Sequence, residues 1–319
     1  MSITRRIDAI TRLDPERACE APPVPRSVKI ELTARCDSRC FFCATQSKLR
    51  KKADMDWLLY RRLAREAREL GVEELGLFHL GESFLCDWLP EAIEFAKREC
   101  GFPYVFLTTN GRLATPDRVE QCMRAGLDSL KFSLNFSGAD EFHEVTGVKR
   151  SAYADVLENL RSARRVRDRV EHSTGLRCGL YASSILFDSR QKKRMLPAVA
   201  AVEHVVDEHY WLPLCGQAGF TIGARGTHPS PGNPGRIGGL RKPLPCWSLF
   251  NTAHISYDGG LSGCCFDHDG RFIMGDLTRE LFMDAWHSDE FRKLRAAHLR
   301  GDVHGTECAP CLYVPATLS

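Results

Sequence analysis

Cys36, Cys40 and Cys43 stand within eight residues, spaced C-x3-C-x2-C in Glu31-Leu-Thr-Ala-Arg-Cys-Asp-Ser-Arg-Cys-Phe-Phe-Cys. Thiolates this close together can hold an iron–sulfur cluster. Three ligands leave one iron without a protein ligand, open to a substrate or cofactor. A cysteine is otherwise a small apolar core residue. Closing so short a loop costs little chain entropy against the gain from metal–thiolate bonds. A second group lies near the end of the chain: Cys246, Cys264, Cys265, Cys308 and Cys311, the last two as C-x2-C. Between Cys246 and Cys264, a hairpin pattern turns at Asp258-Gly259. Four of these thiolates make a metal site, and ligand type alone leaves zinc and iron–sulfur both open.

Alternating elements must position these groups. Ser27-Val-Lys-Ile-Glu-Leu reads as a strand that delivers the first cysteine loop at its C-terminal end. Helical spacing over Ala53–Leu70, with Gly71 after it, predicts an amphipathic helix. Further strands are expected from Glu74 to Gly81, Tyr104 to Asn110, Ser129 to Phe136, Leu176 to Leu186 and Glu208 to Leu214. Helices are expected at Pro90–Glu99, Pro116–Ala125, Ala152–Val170 and Lys192–Ala201. Strand–helix alternation six times over implies parallel βα units, curled into a barrel or an open wound sheet. Either architecture places its site at the carboxyl ends of the strands. Gly81-Glu82, Thr108-Thr109-Asn110, Ser133 and Asn135 fall there with the cysteines.

The chain of 319 residues carries 44 basic and 41 acidic residues, too balanced for nucleic acid or an anionic membrane. No run is long and apolar enough to span a bilayer. Met-Ser-Ile-Thr-Arg-Arg opens no signal peptide. Fourteen cysteines without a secretion signal point to metal binding in a reducing cytoplasm rather than to disulfides. The expected domains are an N-terminal extension at 1–26, a barrel at 27–220, a Gly/Pro/Arg-rich linker at 221–245 and a tail at 246–319, with a helix around Met283–Leu299.

The cysteine loop, with Phe42 before its third cysteine, resembles the signature of radical S-adenosylmethionine (radical SAM) enzymes. The resemblance implies a partial (β/α)6 TIM-like barrel of the α/β class. It implies a 4Fe–4S cluster on Cys36, Cys40 and Cys43, S-adenosyl-L-methionine on the open iron, and a 5′-deoxyadenosyl radical that takes a hydrogen atom from substrate. Leu80-Gly81-Glu82 is similar to the family's "GGE" motif, with leucine in place of the first glycine. Glu82 is then expected to meet the SAM amino group. Phe42, Thr109, Asn110, Ser133 and Asn135 fall where family members contact SAM. C-x12-G-x4-C (Cys246, Gly259, Cys264) followed by C-x2-C resembles the Twitch half of SPASM/Twitch extensions, a small domain of hairpin plus helix. It implies an auxiliary 4Fe–4S cluster on Cys246, Cys264, Cys308 and Cys311, with Cys265 left over.

Compact members of that kind act on sugars and aminocyclitols of aminoglycoside antibiotic pathways. A redox-neutral epimerase is expected, with a dehydrogenase or a peptide-modifying maturase as alternatives. An epimerase needs a thiol that faces the substrate without ligating a cluster. Cys265 is the first candidate and Cys178 the second, with Cys215 behind them, and Asp267, His268 and Asp269 are candidate substrate contacts. Cys86, Cys100 and Cys122, on or near helices, are read as packing residues, and Cys19 as an incidental thiol. The expected partners are the small-molecule substrate and a flavodoxin- or ferredoxin-type reductant.

Overall fold

The computed structural model describes residues 2–43, 50–221, 227 and 229–313. Residues 222–226 and 228 of the expected linker, and 314–319 of the expected tail, lie outside the described residues. Six strands alternate with helices: β1 (Ser27–Ile30), β2 (Glu74–Gly76), β3 (Tyr104–Thr109), β4 (Ser129–Ser133), β5 (Gly179–Leu186) and β6 (Glu208–Pro213). Each pairs in parallel with the next. Between them run α2 (Trp57–Glu69), α3 (Leu89–Glu94) continued by a π-turn to Glu99, α4 (Pro116–Arg124), α6 (Ala152–Thr174) and α7 (Gln191–Glu203). Asp56 starts α2 by accepting the Leu59 N–H at 2.9 Å, which satisfies one of the helix's orphan donors.

Period-two alternation divides the strands. Val28, Ile30, Leu75, Val105, Leu130, Phe132, Leu180 and Ala182 pack outward with the helices in one core. Ser27, Lys29, Tyr104, Phe106, Thr108, Ser129, Lys131 and Tyr210 line a cavity of about 240 Å³ inside the barrel. The first helix, α1 (Ile3–Thr11), closes its floor with Ile3, Ile7 and Ile10. The Glu208 carboxylate holds the start of α1, accepting the Ile3 N–H at 3.0 Å where a helix favours negative charge.

Four features differ from the sequence expectation. Glu74–Gly76 is a short strand, so Gly81 and Glu82 sit in the loop beyond it. An additional helix, α5 (Ala139–Thr146), follows β4 and ends on Gly147 at φ 69°, a left-handed position that suits glycine. The single helix expected around 283–299 is two, α9 (Phe282–Trp286) and α10 (Asp289–Arg300), because Ser288 caps a new start by accepting the Phe291 N–H at 3.3 Å. The tail hairpin of β7 (Thr252–Ile255) and β8 (Gly260–Ser262) gains a third strand, β9 (Ile273–Asp276). It also continues the barrel sheet: β7 pairs in parallel with β1, Lys29 opposite His254. The nine strands run β6-β5-β4-β3-β2-β1-β7-β8-β9. Two short helices frame the tail, α8 (Ser248–Asn251) and α11 (Ala309–Leu312).

Candidate functional site

The cysteine loop leaves β1 and is pinned from two sides. Arg39 and Phe41 N–H groups donate to the Thr146 and Val145 carbonyls at 2.7 and 3.0 Å, which is what the unexpected α5 contributes. Phe42 packs with Phe41, Val145 and Leu214, and lies 6.3 Å from the Phe187 ring. Its place in the motif is therefore a packing anchor for the loop. On the other side, Asp37 accepts from Asn110 Nδ2 at 2.6 Å and from Arg112 at 2.7 Å.

Burial pushes the Cys36 thiol up to about 12, with Glu82, Asp37 and Cys43 adding to the rise. Burial also pushes Cys40 well up, with Cys43 and Cys36 adding to it. The three sulfurs are thus within electrostatic reach of one another, and Cys36 and Cys40 resist ionisation until a cation replaces their protons. That donor set fits an iron–sulfur cluster. Among the described residues, no three such side chains converge on a single-ion position; a polynuclear cluster spaces its thiolates more widely than one ion does.

The strand-end residues predicted to bind SAM hold this loop in place. Gly81 packs so closely that a Cβ there would lie 2.0 Å from the Thr33 carbonyl oxygen. The next N–H, of Glu82, donates to the Arg35 carbonyl at 2.8 Å. Glu82 is buried, and both its oxygens accept from protein donors: Thr109 Oγ1 at 2.8 Å and Phe84 N–H at 3.2 Å on one, Asn110 N–H at 2.7 Å on the other. Burial nevertheless pushes its acid up to about 7. Glu82 thus ties the loop after β2 to the end of β3. Asn135 is similarly engaged: its side-chain oxygen accepts the Ile185 N–H at 2.9 Å and links β4 to β5. Ser133 shares the inward face of Lys131, two residues away on β4.

A buried ion pair closes the same end of β1. Arg50 donates to both Glu31 oxygens, at 2.9 and 3.0 Å, and the Tyr257 N–H adds a bond at 3.2 Å. Glu31 is fully buried. Arg50→Met strands that carboxylate, and the expected loss is about 3–5 kcal/mol, read as a lowered denaturation midpoint.

The tail cysteines come together. Cys246, Cys264, Cys265, Cys308 and Cys311 line one small pocket of about 30 Å³ with His298. Burial pushes Cys246 up to about 12 and Cys308 and Cys311 upward. His298 Nδ1 accepts the Cys246 N–H at 3.1 Å. Burial keeps this ring neutral, its acidity down at about 4, so the proton sits on Nε2. That sulfur-rich pocket fits an iron–sulfur centre as well. Cys265 differs from its neighbours: Asn233 Nδ2 donates to its sulfur at 3.3 Å, and Asn233 lines the barrel cavity too.

Cys178 does not meet the expectation placed on it. It precedes β5 and is buried beside Cys122 and Asp128, with its thiol donating to the Gly179 carbonyl at 3.6 Å. Eight residues of β5 separate it from the strand's carboxyl end, roughly 26 Å. Asp267 is also a structural residue, its oxygens accepting from Ser262 at 2.9 Å and the Gly270 N–H at 2.9 Å. His268 pairs with Gln217 at 2.9 Å and Asp269 with Arg271 at 3.1 Å. None of the fourteen cysteines is paired in a disulfide.

Sequence reasoning missed the groups on the inner wall. Lys29 lines the cavity, where burial holds its ammonium below the usual range and Cys265 and Glu74 lie within electrostatic reach. His79 and His254 stack at 5.1 Å beside it, and His79 Nε2 lies 3.1 Å from the Cys265 carbonyl oxygen. Burial holds both imidazoles well below their usual range, hence neutral.

Two family models match the chain. Residues 30–180 match the radical SAM superfamily and residues 246–312 an iron–sulfur cluster-binding domain named SPASM. A probable GTP 3′,8-cyclase of Saccharolobus solfataricus is 34% identical over 141 residues, which are 43% of this chain and 42% of that protein. PqqA peptide cyclase of Streptomyces rochei is 33% identical over 111 residues, 34% of this chain and 30% of that protein. The chain thus spans less than half the length of these curated relatives. Among solved structures, BtrN in complex with AdoMet and 2-DOIA aligns with a TM-score of 0.57 and 16% identity over 88% of this chain and 89% of that one. Streptococcus suis SuiB bound to precursor peptide SuiA aligns with 0.65 and 13% over 93% and 76%. At these identities the structural likeness carries the fold.

Proposed function

This chain carries a radical SAM domain followed by an iron–sulfur cluster-binding tail, and on that premise we propose that it inverts a carbinol carbon of a small polyhydroxylated substrate held in the barrel, with Cys265 returning hydrogen. Such domains take a 4Fe–4S cluster with SAM, and auxiliary iron–sulfur. Cys36, Cys40 and Cys43 would hold the first cluster, and Cys246, Cys264, Cys308 and Cys311 the second. When bound, the cluster and SAM supply a one-electron reductive cleavage able to remove a hydrogen atom from carbon.

The observation that carries the reading is the seat of Cys265. Its sulfur is bonded by Asn233, which lines both cavities, and it lies within electrostatic reach of Lys29 on the barrel wall. Loss of hydrogen leaves a carbon radical. The Cys265 S–H bond then breaks and a C–H bond forms on the opposite face, so the carbon inverts. The resulting thiyl takes up one proton and one electron, the latter from a flavodoxin- or ferredoxin-type reductant. The substrate itself is neither oxidised nor reduced.

A dehydrogenase is the second reading, favoured by the presence of Cys265 among the tail thiols. If that sulfur is itself a ligand, no hydrogen returns, and the carbon radical would give a proton to solvent and an electron to the auxiliary cluster that the tail thiols would hold, leaving a ketone. The peptide-cyclase likeness raises a peptide substrate, yet a cavity of about 240 Å³ suits a small molecule better. Cys265→Ala separates the first two readings. The anaerobically reconstituted enzyme is given SAM, a reductant and a panel of sugars, sugar phosphates, aminocyclitols and aminoglycosides in deuterated water. Native enzyme is expected to place one solvent deuterium at carbon, and Cys265→Ala to lose that label and release ketone. Unchanged label in the variant would refute the hydrogen-donor role.

A further inference from the structure

Parallel strands covered by helices are ordinarily apolar on both faces. Here the inward positions of β1 and β4 carry lysines, Lys29 and Lys131, on two walls of one cavity. Arg6 lines it as well, reaching up from α1 with its guanidinium 3.6 Å from the Tyr104 ring centre. The one carboxylate in the lining is Glu74, and it pairs with Arg6. Among the described residues, Lys131 has no hydrogen bond and no acidic partner, and Lys29 makes no ion pair. The cavity therefore carries an excess of two positive charges.

We infer that the barrel cavity is built for a phosphate-bearing substrate, its phosphoryl group held between Lys29 and Lys131. This rests on the reading that the substrate occupies the barrel. Two compact ammonium groups on separate strands suit a phosphoryl group, which accepts point charges from several directions. A carboxylate is better matched by the planar fork of an arginine. Ser27, Thr108 and Ser129 add hydroxyl donors to the same lining. The charge also narrows the aminoglycoside expectation, because a polycation would meet Lys29 and Lys131 without compensation. Burial, with Lys29 nearby, holds the Lys131 ammonium down to about 8, a tension that an incoming anion relieves.

The test is binding to the reconstituted enzyme with SAM, using inorganic phosphate, pyrophosphate and acetate as probes, read by calorimetry. Phosphate and pyrophosphate are expected to bind the native enzyme, and acetate to bind at least tenfold more weakly. Lys131→Met is expected to weaken phosphate at least tenfold while its unfolding midpoint stays level or rises, since a buried ammonium is removed. Lys131→Arg is expected to keep most of the affinity. If Lys131→Met loses its iron, Lys29→Met supplies the same comparison. Absence of phosphate binding, equal binding in the methionine variant, or acetate binding as tight as phosphate would overturn the inference. Binding is read without turnover, so it can fail while the Cys265 label experiment succeeds, and the reverse.

Discussion

Cys40→Ala is expected to abolish 5′-deoxyadenosine formation, to the level seen without enzyme, and to lower bound iron from about eight to about four per chain. The loop offers three thiols, so the two that remain are too few for a stable four-iron cluster. Burial and the neighbouring sulfurs raise the Cys40 thiol, so a cation must displace its proton to bind there. The tail thiols lie in a separate pocket and keep their iron. Cys178→Ala is the control. That thiol is more deeply buried than Cys40 but sits at the opposite end of β5, and its removal is expected to cost only about 1–2 kcal/mol of packing, with iron and turnover kept. A loss of all eight irons in Cys40→Ala would mean that the two pockets form one cooperative site.

Gly81→Ala carries the second large effect. The added methyl would stand 2.0 Å from the Thr33 carbonyl oxygen and 2.8 Å from that of Arg35. Both are backbone atoms, so no side chain can swing aside. Relief requires the β2 loop to withdraw, breaking the bond from the Glu82 N–H to Arg35 at 2.8 Å and with it the tie through Glu82 to Thr109 and Asn110. Overpacking of this kind costs about 1–3 kcal/mol or more, or a fall of roughly 2–5 °C in melting temperature for a chain of this size. The iron of the first cluster should fall with it. Gly138→Ala, where nothing lies within 4 Å of the added atom, is expected to melt near the native temperature.

The same residues show why parts of this molecule are legible in sequence. The cysteine spacing is local, and its consequence, three thiols on one loop, survives any packing detail. The βα alternation is equally local. The hydrogen-bond ties that Glu82, Asn135 and Asp267 make are not, because a carboxylate or amide at a strand end serves a ligand or a neighbouring N–H with the same chemistry. Only the partner's position decides. The parallel pairing of β7 with β1 joins residues more than 220 positions apart and leaves no local mark. The lysine wall did leave one. Ser-Val-Lys-Ile and Ser-Leu-Lys-Phe-Ser alternate polar and apolar residues in strands that helices cover on one side. In a barrel, that alternation means a polar interior rather than a solvent face.

Solvent-label analysis of the native enzyme's product tests the central claim most directly. A turnover in deuterated water, with SAM and reductant, is expected to give product at the oxidation level of the substrate, inverted at one carbon and bearing one non-exchangeable deuterium there. A ketone product without solvent deuterium would contradict the epimerase account and leave the dehydrogenase in its place.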